Sequence, residues 1–152
     1  MNKNKIIIIV VILIITSIIS YLYITQNNSK EFDCKIAVTG KYTKTINCSD
    51  LKELKTESKS FTMKTTANKR EEKEYQVVKI TDFLEASEIT NYNQIIVESD
   101  DGFKATLEKE DITTSYFGVR ADDKEDDSGL SSIVPNKGSK FWVKNIVKIE
   151  VE

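Results

Sequence analysis

Apolar and polar positions divide this chain into two parts with different periods. From Ile6 to Ile24 it reads IIIIVVILIITSIISYLYI, nineteen residues without a charge. At ~1.5 Å rise per residue, a helix of that length matches the hydrocarbon core of a bilayer. A secretory h-region is shorter and ends in a small-x-small cleavage site. Here the run ends in Tyr21, Leu22, Tyr23 and Ile24, with two tyrosines where an interfacial aromatic belt would lie. The pattern predicts an uncleaved anchor over 6–24, with a cleaved signal peptide as the competing reading. Lys3 and Lys5 in residues 1–5 keep the N-terminus cytoplasmic by the positive-inside rule and send the rest outward. The expected location is the cell membrane, single-pass, with residues 33–152 forming one extracytoplasmic domain behind a polar tether at 25–32.

Within that domain the period falls to two. Cys34–Thr39 and Tyr42–Cys48 read as strands of a hairpin around Gly40-Lys41. Asp50 with Glu53 three residues on is a capping-box pattern for a helical turn. Phe61, Met63 and Thr65 alternate with polar residues, as in a half-buried strand. Asn68–Glu74 reads as a charged loop, Glu74–Ile80 as extended, and Thr81 or Asp82 as the cap of a short helix carrying Phe83 and Leu84. Asn93–Ser99 and Phe103–Leu107 form the clearest hairpin, closed by Asp100-Asp101-Gly102. A helical turn or loop at Glu108–Ser115 leads to an extended Tyr116–Arg120 and an acidic loop at Ala121–Gly129. Leu130–Val134, Lys140–Val143 and Ile146–Val151 are the last strands expected. The predicted class is α+β, strand-dominated, with two or three short helices, preceded by one transmembrane helix.

Charge and composition narrow the chemistry. Net charge is −2, and from Thr25 onward 20 basic residues face 24 acidic ones, which argues against nucleic acid as a partner. The absence of histidine excludes Ser-His-Asp and Cys-His catalysis and His-ligated zinc or haem. Cys34 and Cys48 are the only thiols. In a hairpin centred on Lys41 they stand opposite one another, which predicts a disulfide over the alternative of two buried free cysteines. The acidic run Asp122–Asp127 has its glycine at Gly129, too late for an EF-hand loop, and reads as a solvated surface rather than a calcium site.

Three ordered stretches carry a resemblance. They are Lys35-Ile-Ala-Val-Thr-Gly40 followed by Asp50-Leu51-Lys52, Tyr75-Gln-Val-Val-Lys-Ile-Thr-Asp-Phe-Leu84, and Ile133-Val-Pro135 leading to Lys140-Phe-Trp-Val-Lys-Asn-Ile-Val-Lys-Ile-Glu150. With the Ile95–Leu107 hairpin between them, residues 33–152 resemble the molybdopterin-binding domain of sulfite-oxidase-like oxidoreductases. The resemblance implies that fold, and molybdopterin as the cofactor to test. It also sets a molybdenum-ligating cysteine on the stretch that here reads Phe61-Thr-Met-Lys-Thr-Thr-Ala-Asn68. No cysteine or histidine stands there, the motif arginine falls at Ser131, and the motif glycine at Val77. The expectation is the fold without the enzyme: no catalytic residues, no metal and no bound cofactor.

The ligand-binding candidates are Lys137, Lys140 and Trp142, with Lys144 in the same lysine-rich stretch. Lys140 matches a cofactor-contacting lysine of the family. The expected ligand is small and anionic or pterin-like. Surface lysines and a core tryptophan are the simpler account of these residues. The functional expectation is a non-catalytic binding or accessory module. An atypical molybdopterin-dependent oxidoreductase and a structural or adhesive envelope protein with a protein partner are the alternatives.

Overall fold

The computed structural model describes residues 12–20, 34–51, 54–64, 70–120, 129–135 and 137–152. It divides into two units, 1–30 and 31–152.

In the first unit residues 12–20 form a helix, α1. The hydroxyl of Thr16 donates to the carbonyls of Ile12 and Leu13, and that of Ser17 to Leu13. Both hydroxyls therefore find acceptors within the helix. Among the described residues no helix is long and apolar enough to cross a membrane. The two ends of the 6–24 stretch, the tether and the acidic run Asp122–Asp127 lie outside the described residues.

The second unit holds two sheets over one core. β1 (Lys35–Gly40), β2 (Lys44–Asn47), β5 (Gln94–Ser99), β6 (Lys104–Glu108) and β9 (Ile146–Val151) form a five-stranded sheet in the order β2-β1-β9-β5-β6. Its first and last strands, β1 and β9, pair in parallel, and its other pairs are antiparallel. β3 (Glu57–Lys64), β4 (Arg70–Lys79), β7 (Tyr116–Arg120) and β8 (Ser131–Ile133) form a four-stranded antiparallel sheet in that order. α2 (Ile80–Ala86) and α3 (Lys109–Thr114) follow β4 and β6.

Alternation decides which face is buried. Ile36, Val38, Ile46, Ile95, Val97, Leu107, Ile149 and Val151 point inward from the five-stranded sheet. They meet Val77, Phe117 and Ile133 of the other sheet and Phe83, Leu84 and Ile112 of the helices in one cluster. Phe83 packs edge-on against Phe117 at 5.0 Å between centroids. The outward face of the five-stranded sheet is a charge ladder. Lys104 and Lys148 both reach Glu98, at 3.2 and 3.4 Å, and Lys148 also reaches Glu150 at 3.7 Å. Such a face rests in water without further cover.

Four local readings need correction. The turn near Asp50 is a 3-10 turn over Cys48–Leu51, not a helix opened at Asp50, and Glu53 lies outside the described residues. The charged run is not loop throughout, since β4 begins at Arg70. Arg70–Glu74 pair with Ser60–Lys64, whereas β7 pairs with Tyr75–Lys79. Backbone pairing within the hairpin, rather than hydropathy, makes this segment extended. α2 starts at Ile80 with Lys79 at its N-cap and no side-chain cap. The Ile80 N–H donates to the carbonyl of Ser115, the residue between α3 and β7, at 3.1 Å, so backbone rather than Thr81 or Asp82 satisfies the first N–H of the helix. Capping therefore does not account for Asp82.

The fourth correction concerns Lys140–Val143. A 3-10 turn covers Ser139–Phe141, and the chain then runs without regular structure to β9. The Ser132 hydroxyl donates to the Phe141 carbonyl at 2.8 Å and accepts from the Val143 N–H at 2.9 Å. One side chain thus satisfies backbone groups that a strand would have offered to a ladder.

Candidate functional site

The first hairpin supplies the cysteine pair. Lys35 stands opposite Asn47 and Ile36 opposite Ile46, which centres the hairpin on Lys41. Cys34 and Cys48 follow in the same register, with the Cys48 N–H donating to the Cys34 carbonyl at 2.8 Å. Their Cα atoms are 5.0 Å apart and the two are disulfide-bonded. The pairing expected from the sequence is therefore present, and the chain keeps no free thiol.

The segment 137–145 supplies the other candidates. Trp142 is buried, and its indole N–H donates to the Val134 carbonyl at 3.0 Å. Its ring lies 6.3 Å from Phe61 and 6.4 Å from Tyr75, and Phe61 in turn lies 5.4 Å from Tyr116. This aromatic cluster joins β3, β4 and β7 to the approach of β9. Lys137 and Lys140 both lie over the Phe141 ring, at 4.6 and 5.2 Å from its centroid. Lys137 also pairs with Asp111 of α3 at 2.6 Å, so much of its charge is already answered.

Beside Trp142 is an open hollow of about 270 Å³. Ser99, Asp100, Asp101 and Phe103 from the β5–β6 turn line one side, and Trp142, Val143, Lys144 and Asn145 the other. Of the stretch's lysines Lys144 lines it, while Lys137 and Lys140 do not. The turn is built by its own residues. Asp101 accepts hydrogen bonds from the Ser99 hydroxyl and, at 3.0 Å, from the Phe103 N–H. The Ser99 hydroxyl and then the Phe103 N–H hold its carboxyl below the ordinary carboxylate range. Gly102 takes the left-handed conformation that such a turn demands (φ 84). Asn145 also has positive φ, 49, and its carbonyl accepts from the Asp100 N–H at 3.1 Å, which ties the two walls together. The sequence marks 100–102 as a turn. Its meeting with 142–145 depends on the β5–β9 register, which shifts between Glu98 and Ser99.

The hollow carries carboxylates, one ammonium and two aromatic rings, and can take a small ligand with mixed charge. A molybdenum cofactor of the kind the resemblance implies does not fit the donor set. Both cysteines are spent on each other, and histidine is absent. Of the stretch matched to the ligand-bearing one, Phe61–Lys64 lies in β3 and 65–68 lie outside the described residues. Among the described residues no three of Cys, Asp and Glu gather to hold a metal ion.

No family model matches the chain, and no curated protein matches it. Solved structures do, and what they share with it is the strand-dominated α+β fold. One of them is the crystal structure of the sulfane dehydrogenase SoxCD from Paracoccus pantotrophus, with a TM-score of 0.65 and 12% identity. The match covers 81% of this chain and 39% of that one. The chain thus spans about two fifths of that protein's length, and at this identity the likeness shows the fold alone.

Proposed function

We propose that this chain is a membrane-anchored, extracytoplasmic, non-catalytic binding or accessory module built on an oxidoreductase fold. One observation carries the reading: the fold is shared with part of a sulfane dehydrogenase, yet the only two thiols are tied in a disulfide and there is no imidazole. Without a thiolate a dioxo-molybdenum centre has no protein ligand of the kind its chemistry uses. The disulfide also suits an oxidising compartment beyond the membrane. The uncharged stretch at 6–24 supports the anchor, with residues 1–5 inside the cell. The ligand in this reading is small and anionic or pterin-like, held beside Trp142 with Lys144 and, once Lys137 leaves Asp111 and both lysines leave the Phe141 ring, Lys137 and Lys140.

The test is the molybdenum and pterin content of the full chain, purified in detergent from a host that makes the molybdenum cofactor. Folded protein with neither is the expected result. Stoichiometric metal with pterin fluorescence would sink the reading in favour of an atypical molybdopterin-dependent oxidoreductase. A second reading, a structural or adhesive envelope protein, is favoured by the edges of both sheets. β3 and β6 each meet one strand among the described residues, and an edge of that kind is a template for another chain.

A further inference from the structure

β6 ends the five-stranded sheet, and its backbone shows which groups face outward. In β5, Gln94 exchanges backbone hydrogen bonds with Glu152, so the even-numbered residues of that strand serve β9. Ile95 and Val97 therefore serve β6, through Leu107 and Ala105. The backbone groups of Lys104, Thr106 and Glu108 point away from the sheet. The Glu108 N–H is taken by Asp111 at 3.2 Å. No strand meets the outward groups of Lys104 and Thr106 among the described residues, and both residues are exposed.

The order of side chains along this edge makes it its own complement. Read backwards, Lys104-Ala105-Thr106-Leu107-Glu108 sets Lys104 against Glu108, Ala105 against Leu107, and Thr106 against itself. The faces agree as well. Ala105 and Leu107 are buried on the core side, and Lys104, Thr106 and Glu108 stand on the solvent side. A two-fold axis through Thr106, perpendicular to the sheet, preserves that division in both copies. The longer edge of β3 lacks this property about its middle. Antiparallel self-pairing about Ser60 or Phe61 leaves Glu57 and Lys59 without an opposite charge across the axis.

We propose that β6 is a homotypic docking edge, where a second copy of this chain pairs antiparallel about Thr106 and joins the two five-stranded sheets into one. The Thr106 backbone groups bond to those of Thr106 of the second copy. Lys104 meets Glu108 of the second copy through the side chains, since the backbone groups of Glu108 serve the start of α3, where its carboxylate also takes the Asp111 N–H. The outer ladder Glu150–Lys148–Glu98–Lys104 then continues onto the carboxylate of Glu108 of the second copy. Phe103, 47% exposed at the end of the edge, comes beside Lys109 of the second copy at the start of its α3. The contact is short, so, resting on the membrane anchoring proposed above, a copy held in the same membrane is its natural partner.

Cross-linking in the membrane tests the geometry. Opposed residues of a hydrogen-bonded antiparallel pair lie ~5.5 Å apart at Cα, within disulfide reach. The full chain with Thr106→Cys, whose native cysteines are already paired, is expected to run as a covalent dimer under oxidising conditions. Thr62→Cys on the β3 edge is the control and stays monomeric. Charge exchange tests the recognition. Lys104→Glu and Glu108→Lys each place like charges across the axis and lower dimer affinity roughly tenfold. Mixed together, the two variants restore pairing, because each supplies the charge the other lacks. An effect confined to the Lys104–Glu98 contact within one chain would not be rescued by mixing. A Thr106→Cys chain that stays monomeric, or that cross-links to a different protein, overturns the proposal. So does a mixture no better paired than its parents.

Discussion

Cys34 and Cys48 are joined across the mouth of the first hairpin, one residue beyond the last β1–β2 pair, where the Cys48 N–H already bonds the Cys34 carbonyl. The bond ties the start of β1, the first strand of the second unit, to the end of β2. With the cysteines 14 positions apart in sequence, the chain-entropy model gives about 3 kcal/mol of stabilisation. Replacing both cysteines by serine is expected to lower stability by about that amount in urea unfolding. Mass analysis without reductant should find no alkylatable thiol, and finding two would contradict the pairing.

Gly40 closes β1 in a conformation with φ 86, and a Cβ built there would lie 2.2 Å from the Val151 carbonyl oxygen. That oxygen accepts from the Lys41 N–H at 2.9 Å, in the parallel β1–β9 seam. Gly40→Ala must therefore open the seam as well as strain the backbone, and is expected to cost more than about 2 kcal/mol. Gly102→Ala carries the backbone strain alone, since nothing lies within 4 Å of its added Cβ. It should cost about 1 kcal/mol. Equal losses from the two substitutions would refute the steric argument.

The outer charge ladder predicts a response to acid. Lys104, by hydrogen bonding, holds the Glu98 carboxyl below the ordinary carboxylate range, and Lys148 adds to the effect. A carboxyl depressed in the folded state contributes stability above its unfolded pKa and loses it as pH falls through the folded one. Asp101 follows the same sign. The melting temperature should therefore drop as pH falls below about 4. In Glu98→Gln, part of that drop should disappear. A profile identical to that of the parent would show that the ladder contributes nothing.

Trp142 is the chain's single tryptophan, buried with its N–H on the Val134 carbonyl. Its emission should be blue-shifted in the folded chain and move to the red on unfolding. Trp142→Phe keeps most of the ring packing but removes the indole hydrogen bond, leaving the Val134 carbonyl with the Lys137 N–H alone at 3.1 Å, at a cost of about 1 kcal/mol. A neutral substitution would show that the indole hydrogen bond adds nothing to stability beyond the Lys137 N–H already on that carbonyl.

Much of the fold could be read from alternation because most strands here bury one face. The β5–β6 hairpin was clear for that reason, with Asp100-Asp101-Gly102 between Ile95 and Val97 on one side and Ala105 and Leu107 on the other. The errors fall where a partner outside the local window satisfies the backbone. Arg70–Glu74 is a strand because β3 pairs with it. Lys140–Val143 is not one because Ser132 takes its backbone groups. α2 begins at Ile80 because Ser115 receives its first N–H.

By itself the sequence determined the α+β class, the opposition of Cys34 and Cys48, the absence of any imidazole, and the absence of a cysteine from the 61–68 stretch. Each follows from residue type and short-range period, which need no knowledge of distant neighbours. Tertiary structure alone decided that Trp142 and Lys144 share a hollow with Asp100 and Asp101. It also decided that Lys137 is held by Asp111, and that β6 lies at a sheet edge. Those facts depend on strand order and register, and contacts between segments distant in the chain fix both.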